Sequence, residues 1–74
     1  MTGDMIRVYV DARPVDVAVS ATVLDAVRLT DAALATAVSA GVRSVTDSRG
    51  LPIAADAVLH GGAILRVVPV RGKG

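Results

Sequence analysis

The chain is expected to fold as an α+β domain, a mixed sheet of four to five strands with one helical layer packed on one face. Three observations predict this. Two runs near the start, Ile6 to Val10 and Val15 to Val19, alternate apolar and polar residues with the period of a half-buried strand. A run with helical spacing follows, from Thr22 to Gly41. Strand-forming residues then resume and end in the apolar segment Ala63-Ile64-Leu65-Arg66-Val67-Val68.

Each element has a local cause. The two alternating runs are joined only by Asp11, Ala12 and Arg13, so they read as an antiparallel hairpin, with Pro14 tolerable if the second strand lies at an edge. Thr22 is placed to cap a helix, and Asp25 three residues on completes a capping box. Leu24, Val27, Leu34 and Val38 form an apolar stripe, with Ala26, Ala33 and Ala37 on the same side. Thr30-Asp31 carries a second cap signal inside the run, so one broken helix and two short helices fit nearly equally well. Gly41 supplies the left-handed residue that ends it. Val42 to Thr46 is a strand, Asp47-Ser48-Arg49-Gly50 a type I turn, and Leu51 to Ile53 a short edge strand containing Pro52. Ala54 to Gly62 is a connection expected to hold one helical turn at Asp56 to Leu59. In the last strand Pro69 has no N–H to give and should end the ladder, leaving Val70 to Gly74 as a mobile tail. The first and last strands are equally apolar, and pairing them in parallel at the centre covers both. That is the β-grasp arrangement of ubiquitin, as a single domain over residues 1–74.

Composition removes several functions. In a chain of 74 residues with no cysteine, neither disulfides nor zinc-thiolate sites support the fold, and the core is aliphatic, with Tyr9 the only aromatic. All seven acids are aspartate and seven of the eight bases arginine, for a net charge of +1, which makes no case for nucleic acid or an anionic membrane. RNA contact through the arginines is a weaker third reading. No apolar segment has the length of a signal peptide or a membrane span, so a cytoplasmic protein is expected.

From Met5 onward the chain resembles the bacterial ubiquitin-like sulfur carriers of the ThiS and MoaD type. The likeness is carried by the short strand pair, by TVLDAV at 22–27, by VTDSRGLPI at 45–53, by the stretch from Asp56 through Leu59 and Gly62 into AILRVV, and by the tail Pro69-Val70-Arg71-Gly72-Lys73-Gly74. The resemblance implies that an adenylating enzyme uses ATP to activate the carboxylate of Gly74. The adenylate is then converted to a thiocarboxylate, which delivers sulfur to an accepting synthase in cofactor biosynthesis. It implies no cofactor, no metal and no catalytic residue in the carrier itself. The tail departs from the family at one place, because Lys73-Gly74, with Gly72 one step back, replaces a pair of terminal glycines. Glycines suit a tail threaded into a narrow channel, whereas Lys73 carries a long hydrated cation.

The other candidates are weaker than their plain structural explanations. His60-Gly61-Gly62 reads as a reversing loop, and a lone histidine is no metal site. Asp25, Asp31, Asp47 and Asp56 each have a local task as cap or turn former. Gly72-Lys73 lacks the spacing of a phosphate loop. The outer sheet face is more informative: Arg7, Tyr9, Arg66 and Val68, joined by Arg43, are expected to form a basic patch with an aromatic and an aliphatic centre. The alternative to a sulfur carrier is therefore a β-grasp module that binds a protein partner through this face.

Overall fold

The computed structural model describes residues 4–70, and the elements follow the expected order. Strands β1 (Met5–Val10) and β2 (Arg13–Ala18) form the hairpin, paired from Met5 with Ala18 to Val10 with Arg13. The connection is tighter than expected, because Arg13 is already the first residue of β2. Asp11 (φ 51°) and Ala12 (φ 71°) both adopt the left-handed backbone of a type I′ turn, whose twist matches that of the strands. Asp is well suited to that conformation, but the Cβ of Ala12 is not. Ala12→Gly is therefore expected to raise stability by about 0.5–1 kcal/mol in urea denaturation. No gain would show that the turn relaxes to another geometry in solution.

The helical layer consists of two helices. Thr22 caps α1 (Val23–Thr30): its hydroxyl accepts from the Asp25 amide at 3.3 Å, and the Asp25 carboxylate accepts from the Thr22 amide at 3.0 Å. Asp31 is extended and serves both helices. Its amide donates to Val27 O at 2.8 Å, ending α1, while its carboxylate accepts from the Ala33 amide at 2.9 Å, starting α2 (Ala32–Ser39). The break resets the helical phase, so Ala35 is buried where the continuous stripe had placed Ala33, which is exposed. Gly41 (φ 81°) closes α2 as a Schellman motif, with Gly41 N–H on Val38 O and Val42 N–H on Ala37 O.

Strands β3 (Arg43–Thr46), β4 (Pro52–Ile53) and β5 (Ile64–Pro69) complete a five-stranded mixed sheet in the order β2-β1-β5-β3-β4. β1 and β5 are parallel at the centre, and the other pairings are antiparallel. Pro14 and Pro52 both lie on the outermost strands, where a missing donor costs no ladder bond. Val8, Val10 and Val17 on the sheet meet Val23, Ala26 and Val27 of α1, and Leu65, Val45 and Ala35 extend the same core toward α2. No helix among the described residues is long and apolar enough to cross a membrane.

Two expectations are corrected. The connection 54–62 holds no helical turn. It runs alongside the start of α1, with Ala57 O and Ala55 O accepting from the amides of Val23 and Leu24, and the Leu59 amide donating to Ala21 O. These carbonyls serve the unpaired first amides of the helix and are not available for a helical turn of their own. Leu59 is nonetheless buried in the core. The sheet also continues past the expected end: Pro69 pairs with Arg43, and the Val70 amide donates to Val42 O at 3.0 Å. Amides alternate sides along a strand. That of Val67 points toward the β1 side, so the Pro69 nitrogen faces the same way, beyond the end of β1, and disrupts nothing on the β3 side. The expected tail loses Val70 to the sheet, and residues 71–74 lie outside the described residues.

Three carboxyls are more acidic than ordinary aspartate: Asp16, chiefly through its hydrogen bond from Arg7; Asp25, chiefly through the Thr22 amide; and Asp47, chiefly through the Leu51 amide. Lowered folded-state values mean that their stabilisation is complete above the unfolded aspartate value of about 3.9 and is lost as pH falls through and below it. Melting temperature is expected to be level from neutral pH to about 5 and to fall below about 4. The fall should be shallower in Asp47→Asn. An equally steep fall in that variant would exclude Asp47 as a contributor.

Candidate functional site

The outer face of the sheet, opposite the helices, is set by the parity of each strand. On β1, Ile6, Val8 and Val10 point inward, leaving Met5, Arg7 and Tyr9 outside. On β5, Leu65 and Val67 are inward, so Ile64, Arg66 and Val68 share the outer face. Tyr9 pairs with Ile64 across the central parallel ladder, and Arg66 pairs with Thr46 of β3. The structure therefore brings Arg7, Tyr9, Arg66 and Val68 onto one surface.

Arg43 is not part of it. It is two residues from the inward Val45 and opposite Pro69, which places it on the helix side of the sheet. The patch is also less basic than expected. Arg7 lies against Asp16 of β2 with Nε–Oδ1 at 2.8 Å and a second contact at 3.2 Å, and the hydrogen bond raises the arginine's pKa while lowering the aspartate's. The exposed pair contributes little to stability and cancels one charge. Arg66 makes no ion pair among the described residues.

The face is instead apolar where Tyr9 adjoins Ile64, and apolar again at Met5 at the start of β1. Met5 is 61% exposed, Ile64 48% and Tyr9 37%. Sequence reading missed Met5 and Ile64, although both share the strand parity of Arg7, Tyr9 and Arg66 and could have been placed by the same alternation. It also missed Asp11, whose carboxylate accepts from the Val67 amide at 3.1 Å and so replaces a strand partner where β1 has ended. That contact spans the length of the chain and leaves no local signal. Beside it lies a groove of about 420 Å3 lined by Asp11, Ala12 and Ile64 to Val68.

His60 is exposed on the rim of a second cavity, of about 330 Å3, with Asp47, Ser48 and Arg49 above an apolar floor including Val23, Ile53 and Leu59. Arg49 is already engaged by Asp47 at 3.0 Å. The turn His60 to Ala63 closes with Ala63 N–H on His60 O, as expected of a reversing loop. Gly72, Lys73 and Gly74, the sequence-derived activation site, lie outside the described residues. No family model matches the chain, and no curated protein matches it.

Proposed function

We propose that the chain is a β-grasp carrier of the ubiquitin-like type that accepts sulfur at the carboxylate of Gly74. The observation that supports this reading is the strand order β2-β1-β5-β3-β4, with β1 and β5 parallel at its centre and β5 followed directly by Val70-Arg71-Gly72-Lys73-Gly74. The reaction belongs to the partners. An adenylating enzyme would join the Gly74 carboxylate to AMP from ATP with release of pyrophosphate, and a sulfur donor would displace AMP to leave a thiocarboxylate. A synthase would then take the sulfur. The carrier supplies only the reacting carboxylate and a surface that docks. Incubation of the chain with an activating enzyme of this type, ATP and a sulfur donor should add the mass difference between sulfur and oxygen. An unchanged intact mass, beside a standard carrier that reacts, would remove the proposal for that enzyme.

The exposure of Met5, Tyr9 and Ile64 favours a second reading, in which the outer face binds protein and the tail is never activated. In that case Tyr9→Ala weakens partner capture and loss of Lys73 and Gly74 does not.

A further inference from the structure

We infer that the outer face closes on a second copy of this chain, as a two-fold dimer with Tyr9 at its axis and Arg66 of each copy against Asp16 of the other. The inference rests on the binding role of this face and is independent of the tail. Its basis is the register of three strands. Asp16 lies on β2 opposite Arg7, one strand to one side of Tyr9 and two residues back. Arg66 lies on β5, two residues past Ile64, the partner of Tyr9, one strand to the other side and two residues forward. With a strand spacing of about 4.8 Å and a rise of about 3.3 Å, each is roughly 8 Å from Tyr9, in opposite directions.

A two-fold axis lying in the face through Tyr9, perpendicular to the line joining these residues, exchanges them. One rotation thus forms two identical Arg66–Asp16 pairs, as an isologous interface requires. The strands of the two sheets then cross at a steep angle, near the orthogonal class of sheet packing. Asp16 can accept the second guanidinium, because a carboxylate has about four lone-pair sites and the contacts from Arg7 occupy only part of them. Arg66, the other arginine on this face, has no ion pair among the described residues and is placed to supply it. Between the pairs, Tyr9 and Ile64 provide the apolar contact, with the stem of Arg7 beside them and Met5 farther out at the start of β1.

The face measures roughly 500 Å2, so closure removes at most about 1,000 Å2 in total, the lower limit for a specific interface. The dimer is therefore expected at the weak, transient end of specific interfaces. Sedimentation of the full chain from micromolar to millimolar concentration should show a reversible monomer–dimer equilibrium. Arg66→Glu should raise the Kd by about tenfold or more, since both symmetric pairs become repulsive. The decisive arm mixes Arg66→Glu with Asp16→Arg. Each variant alone should dimerise at least about tenfold more weakly than the parent chain, while the mixture should recover the parent's affinity, because both cross-pairs then join opposite charges. Thermal melts of each variant separate loss of fold from loss of contact. A chain that stays monomeric at millimolar concentration, or a dimer indifferent to Arg66→Glu, overturns the inference. Loss of dimerisation without a shift in intact-mass activation leaves the carrier reading standing, so the two can fail separately.

Discussion

Leu65→Ala is expected to leave much of the chain unfolded at physiological temperature, with a loss of about 2–5 kcal/mol in urea denaturation. Leu65 is the largest of the fully buried side chains, 1% exposed, on β5 between β1 and β3. Its neighbours are mainly valines and alanines, whose short side chains reach poorly into a vacated space. A core of this size leaves a net stability of only about 3–5 kcal/mol, so one cavity is comparable to the whole margin. Leu65→Met, which nearly conserves volume, should cost less than about 1.5 kcal/mol. A loss below about 1 kcal/mol for the alanine variant would show that the centre of the core lies elsewhere.

Removal of residues 71–74 is expected to abolish activation while changing stability by no more than about 0.5 kcal/mol. Among the described residues none of the buried core follows Val67, and the last backbone contact is the Val70 amide on Val42 O. The truncated chain should therefore melt with the full one and give no thiocarboxylate by intact mass. Lys73→Gly separates two roles for the cation. Activation rises if the side chain obstructs a channel shaped for glycine, and falls if the partner reads its charge against nucleotide phosphate. A truncation that unfolds the domain would show that the sheet extends beyond Val70.

Where one residue's chemistry acts on its neighbours, the sequence alone was sufficient. Thr22 and Asp25 close a capping box three residues wide, Gly41 ends α2, and Asp47 and Gly50 form a turn, all through contacts within a few positions. Alternation set the inward face of β1 and β5, and with it the common surface of Arg7, Tyr9, Arg66 and Val68. The choice between one helix and two rested on Asp31, whose cap competes with simple continuation of the helix; the competition is settled only when the amide and carboxylate of Asp31 are both engaged.

Tertiary structure alone decided what depends on register between distant strands. Arg43 fell on the helix side because β3 pairs with β5 so that Val45 meets Val67, and one residue of register reverses every side chain. The charge of Arg7 was cancelled by Asp16 across the hairpin, and the Val67 amide was taken by Asp11 from the far end of the chain. The segment 54–62 gave up its expected helical turn because its carbonyls lie against the free amides of α1. Local propensity fixes which elements form, since its contacts close within a turn or two. Partners across the sheet are fixed only when the burial of all the strands is satisfied together.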